Sequence, residues 1–313
     1  MDCKEVNITK AYKEFYFVAV GTFGKVYKVV ENDGRELALK VLKTKQVSFP
    51  ADFARELRCL MRLRDHPNVV TMHKAFLATG IPKLSPSLAY TMDYLPVTLF
   101  TMSMGHTVRL PFSFIAKFSR DVACGLMYTH EMGFIHRDLS LKNVLLDANL
   151  TAKIADFGAC REVNLSNMSG GRVTLNYRAP ELAMKGTIYS TAADNWSLGI
   201  IILETVENRL VFMPNCKNKS DDQMEDITFK NVRRVVDLPG YKSIKAPEKF
   251  IPTTMQQRVI KDVVFALLEP RPTHRMTAHE LLINEEWSQL AHITESDRGF
   301  VSERYQECKN RYK

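Results

Sequence analysis

Long apolar runs are missing from this sequence, which argues against a membrane-spanning segment. The run at residues 198–203 is the longest candidate, and a membrane-spanning helix needs roughly 20 consecutive apolar residues. The start, Met1-Asp-Cys-Lys4, matches neither a signal peptide nor a myristoylation site, and the end, Asn310-Arg-Tyr-Lys313, is no prenylation box. We therefore expect a soluble intracellular protein that makes no contact with a membrane.

Cysteine is also scarce, and the few cysteines lie far apart in the chain. No Cys-x-x-Cys pair occurs among them. This spacing favours isolated reduced thiols in the cytosol or nucleus over a metal site or a disulfide framework. The six cysteines are Cys3, Cys59, Cys124, Cys160, Cys216 and Cys308.

Basic residues outnumber acidic ones, but no single segment holds the excess. The chain has 43 Lys and Arg against 35 Asp and Glu, for a net charge of +8. The densest basic groups, at residues 55–64 and 242–249, also contain acidic residues. A solvated surface, or one that meets an acidic protein partner, is therefore favoured over a nucleic-acid groove, and we expect no direct binding of nucleic acid.

The first 95 residues predict a β-rich unit that contains one helix. Runs of β-branched and aromatic residues predict strands, and turn-forming residues such as Glu31-Asn-Asp-Gly34 separate them. A helix is predicted at residues 50–61, where apolar residues recur at helical spacing from Phe53 to Met61. The predicted strands lie at residues 15–20, 26–30, 37–42, 69–77 and 88–92.

After residue 95 the pattern becomes helical. A stripe of apolar residues from Phe114 to Leu126 recurs every four positions, and residues 196–206 are apolar nearly all round, which is typical of a buried helix. Residues 259–268 and 278–287 predict amphipathic helices. We therefore predict an α+β fold of two lobes, a small antiparallel β-sheet lobe with one helix and a larger, mainly helical lobe, with a ligand site in the cleft between them.

Two features of the β-rich half suit the binding of phosphate groups. Gly21-Thr-Phe-Gly24 lies between two predicted strands, and glycines let backbone amides approach a phosphate closely. An ordinary hairpin turn is the alternative. Lys40 follows in the next strand, and Glu56 lies 16 residues later on the predicted helix. Each alone is typical of a solvated surface residue, but an ion pair between them would hold Lys40 towards phosphates.

The segment Ile135-His-Arg-Asp-Leu-Ser-Leu-Lys-Asn143 carries the clearest chemical signal. Asp138 and Asn143 are five residues apart, and Asp156-Phe-Gly158 begins 13 residues after Asn143. Phosphoryl transfer needs one carboxylate to orient the incoming hydroxyl and accept its proton. It also needs oxygen ligands that hold Mg²⁺ on the phosphates. Asp138, Asn143 and Asp156 supply such a set.

In these motifs the sequence resembles the protein kinase family across residues 12–288. The Gly-rich loop, Lys40, His-Arg-Asp, Asp-Phe-Gly and Ala179-Pro-Glu181 occur in the family's order and spacing. The resemblance implies the two-lobed protein kinase fold, with a domain at 12–288 divided into lobes at 12–95 and 96–288, and a C-terminal tail at 289–313. It also implies an ion pair between Arg275 and Glu181 that braces the helical lobe.

The same resemblance implies ATP and Mg²⁺ as cofactors and transfer of the γ-phosphate to protein serine or threonine hydroxyls. Lys40 would clamp the α/β-phosphates and Glu56 would hold Lys40. Asp138 would orient the target hydroxyl, while Asn143 and Asp156 would bind the metal. Met92 matches the gatekeeper. The residues expected around the nucleotide are Val18, Ala19, Val20, Gly21, Thr22, Phe23, Gly24, Lys25, Val26, Ala38, Lys40, Met92, Asp93, Leu95 and Leu145.

Within the family, several segments look like cyclin-dependent kinases. Residues 50–56, Pro-Ala-Asp-Phe-Ala-Arg-Glu, resemble the cyclin-binding helix motif Pro-Ser-Thr-Ala-Ile-Arg-Glu, and residues 173–181 match Val-Thr-Leu-Trp-Tyr-Arg-Ala-Pro-Glu except at Asn176. The resemblance implies a cyclin partner and protein substrates. Thr174 indicates serine/threonine specificity, and Arg178 indicates a preference for proline just after the target residue.

A regulatory phosphate site is also implied by the resemblance. Ser169 stands at the phosphoacceptor position, with Ser166 as the alternative. Arg55, Arg137 and Arg161 match the three arginines that receive the phosphate in cyclin-dependent kinases. Three unrelated surface arginines are the other interpretation.

The sequence departs from the family pattern at several positions. Most Ser/Thr members carry a lysine two residues after the catalytic aspartate, where this chain has Ser140, and Lys142 lies two places further on. Ala19 replaces the first glycine of the loop. These departures leave two alternatives to an active cyclin-dependent kinase: a pseudokinase scaffold that binds a cyclin-like partner, and a cyclin-independent kinase of a neighbouring branch. The family resemblance also implies residence in the nucleus, with the cytoplasm as a second location.

Overall fold

The computed structural model describes residues 4–21, 24–42, 51–82, 84–163, 177–183, 190–211 and 254–311. Thr22 and Phe23 of the Gly-rich loop lie outside the described residues, as do Ser166, Ser169 and Thr174 of the predicted activation segment. What the sequence predicts for these positions stays a prediction.

One six-stranded sheet forms the first lobe, and its strand order is β1-β5-β6-β4-β3-β2. All neighbouring strands are antiparallel except β1 and β5, which run parallel. The turn at Glu31-Asn-Asp-Gly34 joins β3 to β4, and Gly34 has φ +89°, a conformation that favours glycine. The strands are β1 Glu5–Asn7, β2 Glu14–Val20, β3 Gly24–Val30, β4 Glu36–Leu42, β5 Met72–Thr79 and β6 Ser87–Asp93.

Alternation along β4 divides this sheet into two faces. Leu37, Leu39 and Val41 are buried in a core on the outer face, together with Ile8 of the short helix α1, Ile8–Ala11. Ala38 and Lys40 point to the opposite face, because successive strand residues alternate in direction. Lys40 therefore lies on the face of the sheet opposite to this core.

Two details of the β-rich lobe differ from the sequence prediction. The strand expected at residues 69–77 begins only at Met72, because Val69 and Val70 instead join the second lobe, where the Val70 amide donates to the Ile154 carbonyl at 2.9 Å. The strand β1 and helix α1 precede residue 12, and the sequence analysis assigned them no structure. Their Ile8 side chain is fully buried.

Helices dominate the second lobe, as predicted. Helix α6, Ala192–Glu207, is buried along most of its length, which agrees with its uniformly apolar sequence. The predicted α+β architecture, a β-sheet lobe with one helix followed by a mainly helical lobe, is present. The helix predicted within the β-rich lobe is α2 Ala51–Arg62. The helices after it are α3 Leu99–Ser103, α4 Phe112–Glu131, α5 Pro180–Ala183, α6, α7 Met255–Leu267, α8 Ala278–Ile283, α9 Glu285–Leu290 and α10 Glu295–Asn310.

The single helix expected at residues 278–287 is two helices, α8 and α9. The chain breaks at Asn284, whose backbone is extended and whose side chain accepts a hydrogen bond from the Trp287 amide at 2.8 Å. Asparagine competes for backbone hydrogen bonds in this way and therefore favours a helix start. The prediction of one continuous helix here was wrong.

The region assigned to a tail contains an ordered helix, α10. Its residues Val301, Tyr305 and Cys308 are buried, and the Arg304 guanidinium donates to the Val108 carbonyl at 2.7 Å. Among the described residues, no helix is both long and apolar enough to cross a membrane.

Short strands between the lobes hold the loops that carry the predicted catalytic residues. A three-stranded sheet has the order β10-β9-β7, and a two-stranded sheet pairs β11 with β8. The segment 136–143 lies between β8 and β9, and residue 156 lies between β10 and β11. These strands are β7 Val97–Thr98, β8 Phe134–Ile135, β9 Val144–Leu146, β10 Ala152–Ile154 and β11 Arg161–Glu162.

Candidate active site

Lys40 and Glu56 form a buried ion pair across the first lobe. The Lys40 Nζ lies 2.6 Å from the Glu56 Oε1, and the two residues are 5% and 2% exposed. Strand β4 supplies Lys40 and helix α2 supplies Glu56. A buried charge is costly unless it is paired, so this contact accounts for the placement of both groups in the interior.

Asp156 completes the charge set around Lys40. Its Oδ1 lies 2.8 Å from the Lys40 Nζ. Burial alone would lower the pKa of Lys40, but the ionisable groups of Tyr90, Glu56 and Asp156 outweigh burial and raise it well above its usual value. Burial would raise the pKa of Asp156, yet the nearby Lys40 charge lowers it overall. Lys40 is therefore cationic and Asp156 anionic at neutral pH.

The local backbone aims the Asp156 carboxylate at this site. Asp156 has φ 61° and ψ 67°, in the left-handed region, and it directly precedes a single 3-10 turn at Phe157–Ala159. Phe157 is fully buried and packs edge-on against the His136 ring at 4.7 Å between centroids. The buried ring anchors the turn, which keeps the preceding carboxylate at the surface of the cleft.

Asp138 and Asn143 contact each other beside Asp156, since the Asn143 carbonyl accepts the amide of Ala155, the residue just before Asp156, at 2.8 Å. The Asn143 amide nitrogen donates to the Asp138 carbonyl oxygen at 2.7 Å and to its carboxylate Oδ2 at 3.2 Å. The five-residue spacing seen in the sequence is thus closed by the Asn143 side chain. Because the nitrogen faces Asp138, the amide oxygen of Asn143 points to the other side, where it is suited to binding a cation.

His136 fixes the path of the loop that carries Asp138. Its Nδ1 accepts the backbone N–H of Asp138 at 3.3 Å, so the proton of a neutral ring lies on Nε2, which donates to the Ala155 carbonyl at 3.0 Å. One imidazole therefore joins the Asp138 loop to the residue just before Asp156.

Asp194, a buried carboxylate on helix α6, also holds the loop that carries Asp138. Asp194 accepts the backbone amides of His136 and Arg137 at 2.9 and 2.8 Å, and its Oδ2 contacts the His130 Nε2 at 2.8 Å. Burial would raise the pKa of Asp194, but the hydrogen bond and charge of His130 lower it overall. Arg137 has φ 70°, an unusual conformation for a non-glycine residue, and the two accepted amides stabilise it.

Comparison with known proteins agrees with this arrangement. The sequence profile described as "Protein kinase domain" matches residues 12–288. The chain belongs to the protein kinase family. Protein kinases in general use ATP and Mg²⁺, and the kinase profile covers every residue of the cleft described above.

Several relatives of this kinase are named CTD kinase subunits or cyclin-dependent kinases, and one is a mitogen-activated protein kinase, HOG1 of Debaryomyces hansenii, which is 29% identical over 88% of this chain and 73% of its own length. It is 30% identical to the CTD kinase subunit alpha of Schizosaccharomyces pombe over 291 residues, which are 88% of this chain but only 48% of that protein. It is 27% identical to a probable CTD kinase subunit alpha homolog of Encephalitozoon cuniculi, over 95% of this chain and 90% of that protein. Cyclin-dependent kinase 11 of Dictyostelium discoideum is 32% identical over 90% of this chain and 80% of its own length.

The two glycines of the Gly-rich loop, Gly21 and Gly24, have different structural roles. A side chain at Gly24 would collide with the carbonyl oxygen of Val41 in the neighbouring strand, so Gly24 is required for packing of the sheet. The Gly21 amide donates to the Gly24 carbonyl at 2.8 Å and closes the turn. Of the adjoining predicted residues, Val18, Ala19 and Val20 are exposed on β2, and Lys25 is the second residue of β3, after Gly24.

The residues predicted to surround adenine lie on one face of the sheet. Val26 pairs with Lys40 in register, and Ala38 pairs with Met92. Leu145 of β9, in the three-stranded sheet, is partly buried. The Asp93 amide is already bonded to the Thr71 carbonyl at 3.1 Å, which leaves the carbonyl of Asp93 and the backbone of Leu95 as the groups suited to adenine.

Lys142 lies beside Phe100 of helix α3. Its Nζ is 5.1 Å from the centre of the Phe100 ring, a distance that allows a cation–π interaction. Lys142 is exposed and precedes Asn143 directly. Lys142 thus lies on the same loop as Asp138, with its ammonium group beside α3.

The three predicted regulatory arginines lie around the catalytic loop and α2. Arg161 of β11 pairs with Ile135 of β8, and Ile135 lies two residues before Arg137. The Arg161 guanidinium donates to the Cys160 carbonyl at 2.8 Å. Arg137 is buried and Arg55 is partly buried on α2. Their joint role as a phosphate receiver stays a prediction.

The ion pair expected between Arg275 and Glu181 is present. Arg275 donates to both carboxylate oxygens of Glu181, at 2.8 and 2.9 Å, and its guanidinium lies over the Trp196 ring at 5.2 Å. This pair joins α5 to the turn before α8 and braces the second lobe.

Two residues of the site were missed by the sequence analysis. Asp194 lies just before the predicted helix at 196–206, and its two hydrogen bonds to the loop that carries Asp138 could not be inferred from spacing. Tyr90 was hidden in the predicted strand 88–92, where a tyrosine among apolar residues is typical of the core. Its hydroxyl in fact donates to the Glu56 Oε1 at 2.7 Å.

Proposed function

We propose that this kinase transfers the γ-phosphate of ATP to serine or threonine hydroxyls of proteins, that it is activated by a cyclin, and that it prefers targets followed by proline. The observation that supports catalysis best is that Lys40 contacts both Glu56 and Asp156. Asn143, which contacts Asp138, in turn accepts the amide of the residue just before Asp156. A scaffold that only binds a partner has no need of this complete set.

Each residue has a defined task in the proposed reaction. Lys40, held by Glu56, binds the α- and β-phosphates through its positive charge. Asp138 orients the hydroxyl of the protein substrate and accepts its proton as the oxygen attacks the γ-phosphorus and ADP leaves. Lys142 lies on the same loop and supports the γ-phosphate in place of the lysine that Ser140 replaces.

The residues present fit a magnesium ion. The ionised Asp156 carboxylate and the Asn143 amide oxygen are the hard oxygen ligands that Mg²⁺ prefers, and such sites are completed by substrate phosphates. When bound there, Mg²⁺ supplies positive charge that offsets the charge of the phosphates. Lys40 and the metal would share the Asp156 carboxylate between its two oxygens.

Two regulatory inputs belong to the proposal. A cyclin would contact α2 at the segment that resembles its binding motif, and phosphate on Ser169 would be received by Arg55, Arg137 and Arg161. The names of the relatives support the first input, since cyclin-dependent kinases of Dictyostelium discoideum and Caenorhabditis elegans are among them. We further propose residence in the nucleus, which rests on family resemblance alone.

Phosphate transfer to paired peptides tests the proposal. The kinase, purified from its own cells with any bound partner, is given Mg²⁺ and labelled ATP with a Ser-Pro peptide or the same peptide with Ser-Ala. We expect faster labelling of the Ser-Pro peptide, and much slower labelling when the partner is removed. Activity that is equal with and without the partner would support the cyclin-independent alternative. An absence of labelling in the partner-bound, phosphorylated protein would support the scaffold.

A further inference from the structure

The Tyr90 hydroxyl shares its acceptor with the catalytic lysine. It donates to the Glu56 Oε1 at 2.7 Å, the same oxygen that the Lys40 Nζ approaches at 2.6 Å. Tyr90 is 1% exposed, so water does not compete for this hydrogen bond. Glu56 therefore receives two donors from the sheet, and only one of them is the lysine of the ion pair.

Strand register explains why Tyr90 reaches this point. Tyr90 of β6 lies directly opposite Lys40 of β4, and residues paired across two strands project from the same face. Both side chains therefore extend towards α2. A residue with an apolar side chain at position 90 would fill the same space without offering a donor to Glu56.

The ring of Tyr90 makes a second contact with α2. It stacks against Phe53 with 6.3 Å between centroids, and Phe53 lies one turn before Glu56 on that helix. Burial raises the pKa of the Tyr90 hydroxyl well above its usual value, so the hydroxyl keeps the proton that it donates. Tyr90 thus attaches to α2 through both its ring and its oxygen.

Outward movement of α2 would break these contacts together. The Tyr90 hydroxyl would lose its acceptor in the interior, and an unsatisfied buried polar group is costly. One net hydrogen bond corresponds to about a tenfold change in an equilibrium constant. The Tyr90 contact therefore shifts the equilibrium of α2 towards the position in which Glu56 meets Lys40.

We propose that Tyr90 is a positioning residue that holds Glu56 against Lys40 from within the chain, so that α2 keeps its inward position without a partner protein. The proposal rests on the kinase function proposed above and specifies its regulation. Part of the task assigned to a cyclin is done by strand β6, and the isolated chain should retain a measurable basal activity.

A pair of cysteines offers a readout that does not depend on catalysis. Cys59 lies three residues after Glu56 on α2, and its Sγ is 2.9 Å from the Sγ of Cys160, four residues after Asp156. Both are buried free thiols. The two sulfur atoms can be linked only while α2 is in its inward position. Diamide, an azo oxidant, would accept two electrons and two protons from the thiols and become a hydrazine as the disulfide forms.

The test compares two variants that each lose one hydroxyl. Tyr90→Phe removes the bond to Glu56 and keeps the ring. Tyr128→Phe is the matched control, because its hydroxyl lies 3.4 Å from the carbonyls of Arg62 and Arg64 at the other end of α2. The full chain is treated with diamide in the absence of a partner, and peptide mapping measures the amount of cross-link. Cys160→Ser, which cannot form the disulfide, is the blank. Phosphate transfer is measured on the same samples with and without partner.

We expect Tyr90→Phe to slow the cross-link and to lower partner-free kcat, each about tenfold, with kcat recovering when the partner is added. Tyr128→Phe should behave as the wild-type chain does. An unchanged cross-linking rate in Tyr90→Phe would overturn the proposal. If Tyr90→Phe does not fold, Phe53→Leu provides the second test, since it weakens the ring contact and should also slow the cross-link. A wild-type chain that cross-links but transfers no phosphate even with its partner bound would contradict the kinase function and not the role of Tyr90.

Discussion

The Nζ of Lys40 lies 2.8 Å from the Oδ1 of Asp156, although 116 residues separate them in the chain. One carboxylate thus faces both the lysine of the β-rich lobe and the space between the lobes. Its side chain is 34% exposed, so a cation can reach the oxygen that Lys40 does not occupy. This relationship makes the role of Asp156 in metal binding testable.

Asp156→Asn should weaken the response to magnesium. Asparagine keeps an oxygen ligand but loses the negative charge that attracts a hard cation. We expect the Mg²⁺ concentration for half-maximal phosphate transfer to rise by about tenfold or more, which corresponds to the loss of one charged ligand contact. Titration of activity with Mg²⁺ measures this. Asp33→Asn, in the exposed turn before β4, is the control, and an equal response in both variants would refute the assignment.

Lys142→Ala should lower kcat by about 10²–10³, the usual effect of removing one group that stabilises transition-state charge. Lys142→Arg should keep most of the activity because it preserves the charge. Lys261→Ala is a matched control, since Lys261 also lies over a phenylalanine ring, that of Phe265 at 5.6 Å, but on α7. If Lys142→Ala retains normal kcat, another group performs this task.

Arg275→Ala should destabilise the second lobe. Removing one partner of a buried ion pair leaves the other charge uncompensated, which costs about 3–5 kcal/mol of unfolding free energy. The exposed pair Arg258–Glu286, at 3.1 Å, provides the comparison, and Arg258→Ala should cost less than about 1 kcal/mol. Urea unfolding of both variants decides the point. Equal losses in the two variants would mean that the Arg275 pair is not a structural brace.

The lowered pKa of Asp194 predicts that its contribution to the free energy of unfolding is lost at acid pH. Its pKa in the folded protein lies below its ordinary value of 3.8, so the stabilisation it gives is complete above that value and is lost as pH falls through the lower folded pKa. Asp194→Asn should be less stable than the wild type at neutral pH, and the difference should shrink as pH falls below about 4. Urea midpoints over a pH series measure this, and a difference that stays constant would contradict the assignment.

Motif spacing indicated which residues would meet in the candidate site, because the resemblance to protein kinases assigns each of them a fixed position in the chain. The motifs His-Arg-Asp and Asp-Phe-Gly indicated Asp138, Asn143 and Asp156, and the structure brings these three residues close together. The alternation along β4 likewise predicted the strand that presents Lys40. The motif assignments rest on the resemblance to protein kinases, and the strand assignment rests on local composition.

Contacts between distant segments were beyond the reach of the sequence. The role of Asp194 depends on its packing under a loop 57 residues away, and that of Tyr90 on which strand becomes the neighbour of β4. Asn284 could have been recognised as a helix start from its residue type, but the apolar periodicity across it was stronger. Burial and register, which arise only on folding, decided each of these cases.

Asp138→Asn tests the central claim most directly. The variant keeps the shape of the side chain but cannot accept a proton from the substrate hydroxyl. Transfer of labelled γ-phosphate to a Ser-Pro peptide and the affinity for Mg²⁺-ATP are measured on the wild type and the variant, each with its partner bound. We predict that transfer falls by about 10²–10⁴ while the affinity for ATP stays within about twofold. A loss of nucleotide affinity as large as the loss of transfer would contradict the role assigned to Asp138.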